Sequence, residues 1–520
     1  MFGDRKTSFR GGAAIVYDRV GGALTFIQDQ LSYLFDNSAN SSFGTLDATT
    51  SLLTDPRFTG LVALPVNNTA PTISNPNTPF VDNGFPFGLA NNAFNYTIAQ
   101  NFEVPYSYQY SIGFQRELPL NMLLDVSYAG RLGRKLFTQA DASQLLDFKD
   151  PASGQTMFTA LNNIQAQLLA GVAPTAVTNQ AFFENQGAVA GFPCAAFGGC
   201  TKVISRFVGS LAKRGDSGDI IQFLNANGVL PNNVGNSAQF ADNIYISNLG
   251  RSRYDGLLVS LQKRFSQGLQ FDFNYTYSFS FDNNSSVANT VIGGLIYDLT
   301  NPKAGFGPSD FDIRHLINVN GIWELPFGRG KWIGRDVSGW ANELIGGWQL
   351  SGIFAYRSGL PFSVGTNSFP VSFTLETPAV LVGDVNAVQG NINTSGSTVN
   401  FFGTPAQAAA ALAAFRNVRM GETGSRNALR GPSFWNADIG LAKSFALPWE
   451  GQRIQLRMDA FNAFNHNVFA NPGVSLFGLT NLGSDNHLGC TASSSTCSFG
   501  QITSSASAPR EIQFAIRWDF

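Results

Sequence analysis

The sequence predicts an all-β protein, a transmembrane antiparallel up-and-down β-barrel, partial, of about ten strands with long extracellular loops. Three observations predict it. Charged residues make up only 13% of the chain while aromatics also reach 13%, with 46 Phe and 54 Gly; that charge is about half the share usual in soluble domains. Long segments alternate strictly between apolar and polar residues. Short and long connections between those segments also alternate along the chain. The formal net charge of -2 removes any electrostatic case for a nucleic-acid partner.

The clearest strand is the run from Leu269 to Phe281. Leu269, Phe271, Phe273, Tyr275, Tyr277, Phe279 and Phe281 alternate with Gln270, Asp272, Asn274, Thr276, Ser278 and Ser280. Period two over such a length is a strand with one apolar and one polar face. Tyr108, Tyr110, Ile112 and Phe114 repeat the pattern, as do Ile454, Leu456, Met458 and Ala460, and then Ile512, Phe514, Ile516, Trp518 and Phe520. With weaker segments included, strands are expected near 8–18, 106–118, 121–130, 253–265, 269–281, 312–325, 344–358, 433–446, 452–465 and 510–520. No run of about 18 apolar residues occurs, so a membrane span here requires a closed barrel, the remaining way to satisfy backbone polar groups in lipid. A secreted all-β protein with inward apolar faces is the alternative, since alternation alone does not say which face is inside.

Connection lengths set the orientation. Turns fall around Pro119 and Asn121, at Ser266–Gly268 and from Leu447 to Gln452, with a medium connection from Pro326 to Glu343. Long loops rich in Asn, Ser, Gly and Ala fill 19–105, 131–252, 282–311, 359–432 and 466–509. Short periplasmic turns and long external loops are the rhythm of outer-membrane barrels, which places the chain in the bacterial cell outer membrane with outer-membrane lipid as a partner. Arg116, Lys263 and Lys443 interrupt apolar stripes within a few residues of periplasmic turns, where long side chains snorkel to the interface. A midplane charge would cost about 2–4 kcal/mol. Six of the seven Trp fall in or beside those turns, an aromatic belt.

The segment Gly307-Pro-Ser-Asp-Phe-Asp-Ile-Arg-His315 and its continuation to Gly328 resemble the Oar-like group of TonB-dependent outer-membrane receptors. Further similar stretches follow in order: Gly347–Phe354, Arg357–Phe362, Arg430–Gly440, Arg457–His466 and the terminal Arg517–Phe520, with Tyr106–Gln115 upstream. The resemblance covers most strands and not the long loops. It implies a ligand-uptake receptor whose signal peptide, plug and TonB box lie outside this chain, so residues 1–520 read as the C-terminal part of one barrel domain. The TonB complex would be a partner only through that plug. Phe514, Ile516, Trp518 and Phe520, alternating to the last residue, resemble the signal read by the barrel-assembly machinery; an ordinary strand end is the alternative for Phe520.

Cys194 and Cys200 share one long loop, Cys490 and Cys497 another, so two local disulfides are expected in an exported chain. Metal binding, with His487 beside Cys490, is the competing reading. No cofactor is expected: Gly328–Gly334 is glycine-rich but lacks the following helix a phosphate cradle requires. Ser309, Asp310, Asp312 and His315 offer triad residue types, yet nearness in sequence is not triad geometry, and no enzyme is expected. Gln407–Phe415 is Ala-rich and reads as a short loop helix. The function expected is recognition of an unknown extracellular ligand and its uptake, or alternatively a structural or adhesive surface role. The polar strand faces, including Asp272, Asn274, Arg457 and Asp459, should line the lumen.

Overall fold

The computed structural model describes residues 6–18, 94–99, 101–141, 144–231, 242–285, 296–366, 368–372, 375–384, 386, 389–394, 399–447, 449, 451–474 and 499–520. Cys490 and Cys497 lie outside them. Ten long strands carry the fold: β1 (Thr7–Tyr17), β2 (Tyr106–Leu118), β3 (Met122–Asp141), β4 (Asp242–Ser266), β5 (Leu269–Asp282), β6 (His315–Glu324), β7 (Trp348–Arg357), β8 (Phe434–Ala446), β9 (Arg453–Phe461) and β10 (Glu511–Asp519). They lie side by side in sequence order, each antiparallel to the next. The sheet is not closed: among the described residues β1 and β10 each pair on one side only.

Register follows from the alternation. The stripe of β5 stands opposite Leu257, Val259 and Leu261 of β4 and opposite Ile317, Val319 and Trp323 of β6. A slip of one residue would turn every side chain to the other face. The β4–β5 turn shows why short connections suffice. Gln267 and Gly268 both have positive φ, 54° and 74°, between the paired Ser266 and Leu269. Two such residues make the mirror-image turn whose twist matches that of paired strands. At 268 a Cβ would also lie 3.1 Å from the Glu324 carbonyl oxygen, so glycine fits there on both counts.

The stripe on β4 measures the membrane. Its outward residues run Lys263, Leu261, Val259, Leu257, Asp255 and Arg253, so ten positions separate the two cations. At about 3.3 Å per residue and a tilt near 40°, that interval rises about 25 Å, the height of a barrel's apolar band.

Two expectations need correction. β3 and β4 extend well beyond 130 and 253, through register shifts at Gly133, Leu136 and Thr138. Past the apolar band these strands are held by protein: Thr138, Gln139, Ala140 and Asp141 are buried, and the Ile296 N–H donates to the Gln139 carbonyl. The loop expected over 131–252 therefore narrows to 142–241, and part of it is helical. Its described residues form five α-helices, α1 (Met157–Leu169), α2 (Ala181–Ala190), α3 (Cys200–Phe207), α4 (Gly209–Arg214) and α5 (Ser217–Ala226), with a 3-10 turn at Cys194–Phe197. In α1, Met157, Ala160, Leu161, Ile164 and Leu168 recur at helical spacing and are buried, and the Thr156 hydroxyl caps the helix by accepting the Thr159 N–H. The Ala-rich run folds as a helix within Pro405–Ala413, opened by a reciprocal Thr404–Gln407 capping box.

Candidate functional site

Each end of the wall is fixed by charge. At the periplasmic end Lys263 is buried, and its Nζ donates to the Leu120 carbonyl at 2.8 Å and to Ser266 Oγ at 2.6 Å. Lys443 is buried likewise, donating to the Gly346 carbonyl with its ammonium 4.8 Å from the Phe445 ring centre and 5.7 Å from that of Trp348. These two lysines thus satisfy the carbonyls of neighbouring connections, whereas Arg116, beside Thr7 and Leu124, is exposed. On β10, Phe514, Ile516, Trp518 and Phe520 are 79%, 77%, 59% and 92% exposed, an apolar face turned outward. At the upper rim of the outward face stand Tyr17, Tyr106, Tyr108, Tyr110, Tyr128, Tyr277 and Trp435, a second aromatic girdle.

The opposite face is polar. A recess of about 510 Å³ spans five strands there and is lined by Gln270, Asn320, Asp438, Arg457 and Asp459. Arg457 Nε meets Asp459 at 2.8–2.9 Å, and Arg10 pairs with Asp125 on the same face.

Above the wall the loops lock together at a cluster of arginines. Asp312 is fully buried and accepts from Arg314 Nε at 3.1 Å and from Arg430 Nη2. Arg426 binds Asp282 at 2.8 Å and Asp310 at 3.1 Å, while Asn427 donates to Asp310 and to the Pro308 carbonyl, both at 2.7 Å. Loop 358–433 is thereby fastened to loop 283–314. The triad residue types do not converge: Ser309 bonds Ser280 at 2.8 Å, Asp312 takes arginines, and His315 Nδ1 meets the Tyr275 hydroxyl at 3.0 Å.

Two hydrophobic cores fill the cap. The first gathers the five helices around Leu161, Ile164, Phe182, Phe183, Ile204 and Ile220, with Met420 inserted from the next loop. Asn162 Oδ1 accepts the Met420 N–H at 2.9 Å, and Ser217 Oγ donates to the Pro370 carbonyl at 2.6 Å. Cys194 and Cys200 are joined in a disulfide beside α3, whose first amides, Cys200 and Thr201, donate to the Glu184 carboxylate at 2.9 Å each. Asp150 accepts from Ser153, Asn185 and Gln186, and these bonds, led by Ser153, hold its carboxyl well below the usual range. The second core packs Phe401, Phe402, Phe415 and Phe499 with Val364 and Leu412, and one short strand pair joins 399–400 to 501–502. Four consecutive loops are therefore one interlocked structure.

Asp216 should make this cap pH-sensitive. It is fully buried at the start of α5, accepts the Asp219 N–H at 3.1 Å and pairs with Arg214 at 3.0 Å. Burial, and then the Asp219 charge, push its carboxyl up to about 7. A folded pKa raised above the ordinary value near 3.9 contributes stability that is complete at low pH and is lost as pH rises through about 7. Amide protection in α5, corrected for intrinsic exchange, should therefore fall as pH rises from about 4 to about 7 and level off above that. Asp216→Asn should flatten that dependence; an unchanged slope in the variant would refute the assignment.

An antiparallel meander with one lipid-facing stripe, an aromatic girdle at either interface and a polar inner face defines the wall of a transmembrane β-barrel. The chain belongs to the outer membrane beta barrel domain family, whose model matches residues 1–513. It is accordingly a protein of the bacterial outer membrane. No curated protein matches its sequence. Among solved structures it is similar to the outer membrane transporter YddB from Escherichia coli, at 10% identity and a TM-score of 0.31, covering 82% of this chain and 34% of that one. It is also similar to the ferric-catecholate import receptor Fiu from E. coli, at 11% identity and 0.28, covering 84% and 31%. A third is the FrpB iron transporter from Neisseria meningitidis, at 8% identity and 0.28, covering 81% and 32%. The chain thus spans about a third of the length of each of these structures.

Proposed function

We propose that this chain is barrel wall and external cap of an outer-membrane receptor that recognises an extracellular ligand and passes it into the cell. The interlocked cap carries the reading. Loops that fold around two cores and a buried arginine cluster present a fixed surface, which selective recognition needs and a passive pore does not. The polar face with its Arg457–Asp459 pair would form the inner wall of the passage. In a TonB-driven receptor a plug would contact that face and carry the coupling. The ligand class is open among iron chelates, carbohydrates and peptides.

Cells lacking the gene, supplied with labelled members of those three classes, provide the test. Uptake of one class should disappear and return with the intact gene. Normal uptake of all three, with weakened attachment of cells to surfaces, would overturn transport in favour of adhesion.

A further inference from the structure

Above the apolar band the outward face of β3 and β4 changes character. Arg253 stands across from Phe281 and Leu132 on the lipid-facing parity, and Arg251 follows two residues further out. Arg134, on β3, lies opposite Tyr106 of the upper girdle. Arg251 is exposed and the Arg253 side chain is 61% exposed. Arg253 Nε donates to Asp255 at 2.6 Å, and the same carboxylate accepts from the Tyr128 hydroxyl at 2.6 Å. That pairing orients the guanidinium and leaves its Nη groups without another partner among the described residues. Nearby Lys135 is matched by Glu103. Three arginines thus face one carboxylate, an excess of positive charge on a surface that looks into the membrane interface.

We propose that Arg251 and Arg253, supported by Arg134, bind the phosphate of a lipid headgroup in the outer leaflet. Height selects the lipid. Arg253 stands ten positions above Lys263 on one stripe, which puts it about 25 Å above the periplasmic interface, level with the opposite headgroups. Guanidinium groups suit the ligand because their planar donors match phosphate oxygens in pairs. The bound headgroup would lie against the girdle tyrosines, beside the strands that rise furthest above the membrane.

The test uses the full chain folded in detergent micelles, with phosphatidic acid and phosphatidylcholine as probes and native mass spectrometry as readout. Phosphatidic acid should be retained in preference. R251Q/R253Q should hold it roughly ten- to thirtyfold more weakly, and R517Q, which alters an exposed arginine on the polar face, should hold it normally. R251Q alone touches an exposed side chain and leaves the Asp255 pairing intact, so its weaker retention would not reflect misfolding. Equal retention of both lipids, or an equal loss in R517Q, would overturn the site. Displacement of the lipid by inorganic phosphate at matching concentration would mark a free-anion site and overturn the lipid assignment.

Discussion

Replacing Asp312 by Ala should loosen the whole mouth of the barrel. The carboxylate has no solvent exposure and serves Arg314 and Arg430 together, on loops far apart in sequence. Removing it leaves two cations facing each other with their partner gone. Breaking a fully buried ion pair costs about 3–5 kcal/mol. The arginine side chains here are 21% and 24% exposed, so water recovers part of that and about 2–3 kcal/mol is expected. Hydrogen exchange should quicken about thirty- to 160-fold in peptides covering Ser309–Arg314 and Arg426–Arg430. Exchange in β8 should not change. Asp310→Ala is the control: its side chain is 63% exposed, and a loss of at most about 1 kcal/mol is expected. Equal effects from the two variants would show that burial at Asp312 is not what holds the loops.

Phe183→Ala should unfold the helical part of the cap while sparing the wall. Phe183 is fully buried in the first core, edge-on to Phe182 with ring centres 5.2 Å apart. Truncating such a ring removes its transfer energy and leaves a cavity, together about 3–5 kcal/mol. For a unit of this size that lowers the melting temperature on the order of 10–20 °C. The readout separates the two parts of the molecule, because the helical circular-dichroism signal comes mostly from loop 142–241 and the strand signal from the sheet. Helical signal should melt first and alone. Simultaneous loss of both would mean that cap and wall unfold as one cooperative unit.

The wall was legible in the sequence because lipid imposes a strict rule. Every second residue of a spanning strand must be apolar, and Leu269–Phe281 or Ile512–Phe520 can satisfy that only as strands. Turn residues and stripe-edge cations then set direction, and all ten strands lie where that pattern places them, to within a few residues at most ends. Above the membrane the rule lapses. β3 and β4 continue there through bulges, with no lipid to enforce alternation, so their upper halves read as loop. The helices of 157–226 did carry a signal: Met157, Ala160, Leu161, Ile164 and Leu168 repeat at helical spacing, which the Asn- and Ala-rich composition of the loop obscures. The arginine cluster was not legible at all. Arg426, Arg430, Asp282, Asp310 and Asp312 meet through loop packing, and no spacing in one chain announces that Arg430 will find Asp312.

The outer edges of β1 and β10, which have no partner among the described residues, carry an arithmetic consequence. β1 climbs from the periplasmic side and β10 descends to it, so the edges already point in opposite senses. Bringing β10 directly against β1 keeps the antiparallel weave, and so does inserting two strands, or four, or any even number. A single extra strand, or three, would force one like-directed seam into the ring. Any strands added to close this wall, from one molecule or from elsewhere, must come in an even number if the ring is to stay antiparallel throughout.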